Sequence, residues 1–435
     1  MSTKPKLASS ESEGGQSDVK TYTITPNSGS DIQVGRGFHS LDYFESLFDN
    51  TVRAESVIVD ASGPTGGDVN IVDKAQLQGG EKVVLSLEDG YKETLDVELY
   101  IKNHNYTQDV KGVVVDVSMW SKECIENEDT ANRVIKKYKD ILVSDMVSDI
   151  VSTYLKTDVN TDDSLGKQTF TGNYEKGFPF MMSMQLAKRC VPNASGAKGT
   201  LAGYLFYQTV DGYQFRSIDK LFEQEPKLKV IYDEIAKEKL PEGYDAKILS
   251  YKFNTSMDVE KMMKGGTFSK SEITTVDQRK NEYKEQSPFD SNIQNLITNN
   301  AGLEIPTPAA ILDFANRSFL RKSRIKDTGQ LKPIKKSDEA NVPIEEIERQ
   351  AKSRYNQIAT SNLRITIPLN FKLRAGDMIE VDFPEPSSQK TVKVSKRKSG
   401  RYLIESLRHR IAIVTSDPVS NITVLSLVRD TEGKK

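Results

Sequence analysis

Apolar residues recur at every second position over several long stretches of this 435-residue chain, so the pattern predicts mostly strands. Leu95, Val97, Leu99 and Ile101 alternate with Asp96, Glu98 and Tyr100, and Val113, Val115, Val117 and Met119 repeat the pattern. Glu55–Ala61 and Lys82–Leu87 predict two further strands, the first stopped by the turn cluster Ser62-Gly63-Pro64, and Asp31–Val34 predicts a weak one. Ahead of them, His39–Asn50 sets Leu41, Phe44, Leu47 and Phe48 at helical spacing, which predicts a short amphipathic helix. Residues 21–120 therefore read as one all-β unit carrying one short helix.

The last seventy-odd residues read the same way. Leu363, Ile365, Ile367 and Leu369 alternate, Arg374-Ala375-Gly376-Asp377 turns the chain, and Ile379, Val381 and Phe383 resume. Tyr402 and Ile404 lead toward His409, Ile411 and Ile413, and Ile422, Val424, Ser426 and Val428 close the series. Short antiparallel strands with turn residues between them make a small barrel or sandwich. Nothing in the residues themselves repeats between this end and the first unit.

The middle differs. Ser144 is a candidate N-cap for a helix striped by Met146, Ile150, Val151, Tyr154 and Leu155, and Pro179–Cys190 predicts a second helix. Tyr204–Val210 and Tyr213–Ile218 flank Asp211-Gly212, a hairpin signal. Lys247–Phe253 returns to a strand. Pro288–Phe319 reads as helical, Arg317–Lys336 as a basic linker, and Pro343 as the start of a long helix through Ile344, Ile347, Ala351, Tyr355 and Ile358.

The length calls for about three domains. A hydrophobic content of 37% and a formal charge of -2 exclude a strongly basic nucleic-acid binder or an acidic disordered chain. Met1–Lys20 holds almost nothing apolar, so a disordered arm is expected there in place of a secretory signal. No run approaches the roughly 18 apolar residues of a membrane span. Cys124 and Cys190 stand far apart outside any CxxC and read as free thiols, a disulfide between them being the lesser alternative.

Candidate chemistry is sparse. His39, His104 and His409 are single and widely separated, without ligand spacing. Gly35-Arg36-Gly37, the Gly63–Gly67 stretch and Gly265–Ser271 lack a complete phosphate-loop pattern and read as tight turns; no G-x-S-x-G elbow occurs. Asp162-Asp163 reads as a solvated loop pair. The basic stretches 317–336 and 393–401 (Lys393, Lys396, Arg397, Lys398, Arg401) offer charge for phosphate but, apart from Phe319, no interleaved aromatic for base stacking, which favours solvated or partner-facing loops. Trp120 reads as a core plug at a strand end. No catalytic, cofactor-binding or metal-binding residue is assigned and no cofactor is expected. A cell-wall hydrolase and a nucleic-acid binder are the alternatives from other classes.

Several stretches in order carry a resemblance: Leu41–Asn50 leading into Val57-Ile58-Val59-Asp60, Ser118–Glu123 with Val134, Lys137 and Tyr138, the Ser144–Leu155 segment, Tyr207–Asp219, and the ending Ser399–Ile404 with His409 and Thr423–Asp430. With them the chain resembles the baseplate hub subunit of T-even-type contractile-tailed phages, particularly the marine T-even-like versions. That resemblance implies an α+β, β-rich chain with two small antiparallel β-barrel tube domains and α+β and helical insertions. The expected layout is a disordered N-terminal arm over 1–20, a first barrel over 21–120, and an α+β domain over 121–244. A second barrel would be split over 245–285 and 360–435 around a helical insertion with basic linker at 286–359. It further implies a non-enzymatic homotrimer that adapts a sixfold tail tube to a threefold central spike. The implied partners are the tail tube protein, the central spike protein, baseplate wedge proteins and, transiently, the tape-measure protein, with DNA passing through without specific binding and no membrane span. The implied location is the virion tail baseplate, with host cytoplasm during assembly.

Overall fold

The computed structural model describes residues 17–431 except 28, 61–75, 110–111, 194–202, 233–239, 255–269, 278–281, 285–316, 326–346, 349–350, 352–353, 356–357, 385–393, 396 and 413–420. The first strands are β1 (Ser17–Thr25), β2 (Ile32–Gln33), β3 (Phe38–Ser46), β4 (Arg53–Asp60), β5 (Lys82–Asp89), β6 (Thr94–Asp109) and β7 (Gly112–Trp120). β1 starts inside the expected arm, where Ser17–Val19 pair with Leu87–Asp89.

β3 replaces the helix expected over His39–Asn50. Leu41, Tyr43 and Glu45 point inward while Asp42, Phe44 and Ser46 stay partly exposed, the two-residue period of a strand. A buried carboxylate at Glu45 and a half-buried ring at Phe44, flanked by the guanidinium groups of Arg53 and Arg408 at 5.1 and 5.7 Å, disguise that period in the sequence.

A separate α+β unit follows, with its own apolar core. It holds helices α1 (Lys122–Glu128), α2 (Val143–Ile150), α3 (Pro179–Ala187) and α4 (Ile218–Glu223). Its strands are β8 (Lys137–Leu142), β9 (Val159–Thr161), β10 (Ser164–Leu165), β11 (Lys167–Thr171), β12 (Val191–Pro192), β13 (Tyr204–Thr209) and β14 (Gly212–Ser217). Ser144 lies inside α2 instead of capping it, and its N–H and hydroxyl both meet the Ser164 hydroxyl. The β13–β14 hairpin forms as expected, with Gly212 at φ +101° directly after Val210-Asp211, a conformation suited to glycine.

The chain then re-enters the first sheet through β15 (Leu228–Ile231), earlier than the expected boundary at 245, then β16 (Ala246–Lys247) and β17 (Ser250–Asn254). β18 (Lys270–Asp277), β19 (Glu282–Lys284) and β20 (Arg317–Ile325) form a separate three-stranded sheet. Part of the expected basic linker is therefore a strand, Phe319 and Ile325 being residue types that favour strands among the charges. The helices expected between Pro288 and Asn316 lie outside the described residues. Of the long helix expected after Pro343, the described Ile347, Ala351 and Ile358 are buried at helical spacing, and the Ile358 N–H donates to the Arg354 carbonyl at 3.0 Å. β21 (Ser361–Pro368), β22 (Met378–Asp382), β23 (Gly400–Ala412) and β24 (Ile422–Arg429) complete the main sheet, which has fourteen strands.

Within that sheet two sets of seven strands run in the same order. The first reads β2-β1-β5-β6-β7-β4-β3 and the second β16-β15-β22-β23-β24-β21-β17. In each set the last five strands pair antiparallel throughout. The sets differ at the other end: β1 lies antiparallel to β5, whereas β15 lies parallel to β22. Among the described residues no ladder closes either set on itself, so the expected barrels are present as two open runs of one sheet. One apolar core threads both, from Tyr22 and Leu41 to Leu407 and Leu427.

Candidate functional site

No sequence motif singled out a catalytic centre, and the structure sets the three histidines apart. His39 is exposed on β3, His104 half-buried on β6, and His409 fully buried on β23. No cluster of three or more His, Cys, Asp or Glu suited to a metal forms among the described residues. Cys124 and Cys190 are free thiols, as expected, and burial pushes both above their ordinary range, Cys124 to about 11. Asp162 departs from its reading as a solvated carboxylate. It is 6% exposed, accepts the Ser217 N–H at 2.9 Å and faces Arg216 at 3.0 Å, because it anchors the start of α4. Trp120 is half-buried with Lys102 4.7 Å over its ring, a strand-end contact short of a full core plug. A cavity of 270 Å³ lined by Thr169, Phe170, Lys176, Met182 and Arg189 carries cations without a carboxylate, thiol or imidazole.

The basic stretch 393–401 is engaged in the fold where it is described. Lys398 lies 5.5 Å over the Phe253 ring, Arg401 donates to the Gln224 carbonyl, and the Arg397 carbonyl accepts from Arg429.

The feature that unites the molecule is the joint between the two strand sets, which sequence reasoning did not foresee. β3, the last strand of the first set, pairs antiparallel with β23 of the second over Ser40–Ser46 and Ser406–Ala412. Tyr43 opposes His409, their rings stacked with centroids 6.1 Å apart, and Phe371 meets the imidazole edge-on at 5.2 Å. Arg408 grips Asp42 with two hydrogen bonds of 2.8 and 2.6 Å, the fork geometry that a guanidinium and a carboxylate share.

Glu45 is the centre of this joint. Its carboxylate accepts the Val210 N–H at 2.8 Å, the Ala375 N–H at 2.9 Å and the Tyr43 hydroxyl at 2.9 Å. One side chain thus ties β3 to the tip of the β13–β14 hairpin and to the turn before β22. Burial raises Glu45 to about 7 even though these donors favour its charged form. Burial, helped by the Arg374 charge, holds His409 at about 3, so the ring is neutral; its Nδ1 lies 2.9 Å from the Thr423 hydroxyl. Gly376, at φ +90°, lies so near Tyr207 that a Cβ there would fall 2.4 Å from its hydroxyl oxygen.

The repeat of strand order extends to single atoms. The Gly80 N–H donates to the Ile101 carbonyl at 2.7 Å and the Ile101 N–H to the Glu81 carbonyl at 2.9 Å. Likewise the Gly376 N–H donates to the Ile404 carbonyl at 2.9 Å and the Ile404 N–H to the Asp377 carbonyl at 2.8 Å. In each turn the acidic side chain accepts the N–H three residues earlier, Gln78 for Glu81 and Arg374 for Asp377. Immediately after each isoleucine the register slips by one residue, at Lys102 in β6 and at Glu405 in β23. A short signal was therefore present in the sequence after all, Gly-Glu before β5 and Gly-Asp before β22.

No protein-family model and no curated protein matches the sequence. Solved structures share the fold. The 43 kDa tail protein of prophage MuSo2 from Shewanella oneidensis aligns over 94% of this chain and 98% of its own, with a TM-score of 0.53 at 10% identity. The tail protein from Neisseria meningitidis MC58 aligns over 95% of this chain and 96% of its own, with a TM-score of 0.54 at 9% identity. The chain thus shares, nearly end to end, the fold of these two tail proteins.

Proposed function

We propose that this chain is a non-enzymatic structural subunit of a phage tail tip, a hub whose three copies form a ring between a sixfold tail tube and a threefold spike. The observation that carries the reading is the duplicated strand order within one sheet, with its matching Gly80–Ile101 and Gly376–Ile404 bonds. A trimer offers six like surfaces to a hexameric partner only if each subunit contains its binding module twice. The near end-to-end likeness to two tail proteins supports the same reading. In it, residues 21–120 form one tube module, and the strands after residue 245, with β15, form the other. In it too, DNA and tape-measure protein pass through the ring, and assembly precedes incorporation into the virion.

Electron micrographs of the purified chain, class-averaged, test it. Threefold rings with six similar lobes are expected. A strictly monomeric particle, with one sedimenting species at micromolar concentration, would overturn the ring.

A further inference from the structure

β6 is longer than the strand beside it. Its first half, Thr94–Tyr100, pairs along one edge with β5, and from Tyr100 to Asp109 its other edge pairs with β7, so that from Lys102 to Asp109 it pairs among the described residues with β7 alone. The overhang carries exposed side chains, and Tyr106 is 62% exposed. β23 is built the same way. Gly400–Leu403 lie beside β22, and after the slip at Glu405 the same edge takes β3 over Ser406–Ala412. Because Ile101 corresponds to Ile404, Asn103–Asp109 correspond to the residues of β23 that receive β3. What fills that edge in one strand set has no counterpart in the other among the described residues.

A strand of the matching kind is present. β17 takes the place of β3 in the second set and pairs among the described residues with β21 alone. The ladders fix the correspondence residue by residue: Ser40 with Ser250, Leu41 with Tyr251, Asp42 with Lys252 and Tyr43 with Phe253. A strand edge without a partner is a template for another chain, and proteins that keep one use it or guard it.

We propose that β17 of one copy of this chain adds, antiparallel, to the overhang of β6 in a second copy, remaking between chains the joint that β3 and β23 make within one. Carried over from the internal joint, the register sets Ser250 opposite Asp109, Lys252 opposite Thr107 and Phe253 opposite Tyr106. The exposed Tyr106 ring then meets Phe253 where His409 meets Tyr43. Copies so joined run head to tail, a contact that closes into a ring when the rotation permits. This pairing rests on the ring reading above, which supplies the number three.

The test mixes two full-length variants, Phe253→Cys and Tyr106→Cys, each of which keeps its native buried or half-buried thiols. Directly opposed residues of antiparallel strands stand about 4.5–5.5 Å apart at Cβ, close enough for a disulfide. Under mild oxidation the mixture should give a disulfide-linked dimer that neither variant gives alone, and that His104→Cys in place of Tyr106→Cys does not give. Separately, Thr107→Lys should weaken association by up to about fivefold per contact, by facing Lys252 with a like charge, and Thr107→Glu should strengthen it. A three-copy assembly with no 253–106 cross-link, or one that links 253 to 104 equally well, overturns this pairing while leaving the trimer standing. Absence of any assembly overturns both.

Discussion

The two strand sets make the same backbone and fill it with different side chains. In the first set the edge strand β3 is sealed: Tyr43 and Leu41 are fully buried, and Glu45 has three donors. In the second set the corresponding β17 carries a half-exposed Tyr251 and Phe253 that lean on Phe383 at 4.9 and 5.1 Å. The difference teaches that duplication here preserves hydrogen-bond geometry, a Gly-acid turn and a register slip, while packing is rewritten by whatever covers each edge.

The strongest way to break that comparison is to truncate one ring at the sealed joint and one at the open edge. Tyr43→Ala should cost about 3–5 kcal/mol by opening a cavity in the shared core, whereas Tyr106→Ala at the exposed overhang should change the stability of the unassembled chain by less than about 0.5 kcal/mol. Denaturant unfolding of the full chain measures both, and equal losses would erase the contrast between a sealed and an open edge. Next come the two turn glycines. Gly376→Ala places a Cβ against Tyr207 and should cost about 3 kcal/mol. Gly80→Ala meets nothing within 4 Å and should show only the backbone penalty of about 1–2 kcal/mol.

The pH dependence sharpens the picture of the sealed joint. Glu45 rises from its ordinary 4.5 to about 7 on folding, so between those values the folded chain holds a proton that the unfolded chain has released. Stability from this group is present below about 4.5 and is lost as pH rises through 7. His409 falls from 6.5 to about 3, so the unfolded chain binds the proton first, and stability is lost as pH drops from 6.5 toward 3. The two slopes oppose each other between about 4.5 and 6.5, and the joint contributes a plateau there. Each limb reaches at most about 1.4 kcal/mol per pH unit. Difference melting curves of His409→Gln should flatten the limb below about 4.5 and turn the plateau into a fall with rising pH, and those of Glu45→Gln should flatten the limb above about 6.5 and turn the plateau into a rise. A small effect is expected of Arg408→Gln, at most about 1 kcal/mol, since the Arg408–Asp42 pair is 31% and 20% exposed.

Much of the strand content was legible because Leu95–Ile101 and Val113–Met119 keep a strict two-residue period, and the Asp211-Gly212 hairpin announced itself by its turn. β3 was not legible, since a buried carboxylate at an inward position reads as polar until its three donors are seen. Strand β20 was hidden by its charges. The joint could not be read at all: pairing between Tyr43 and His409 is a property of two distant segments, and no local pattern specifies a partner so far along the chain. Of the candidate chemistry, nothing local warned that Asp162 would be buried beside Arg216.

The span of chain between Asp42 and Arg408, 366 positions, has a consequence for biosynthesis. At about 5–20 residues per second a ribosome needs roughly 20–70 s to make that length. Throughout that time β3 has left the exit tunnel with one edge bare, and nearby nascent copies on the same messenger present the same bare edge. Translation speed, and any chaperone that shields the amino-terminal sheet during the delay, should therefore decide how much product finishes with its own β23 in place and how much is captured by a neighbour.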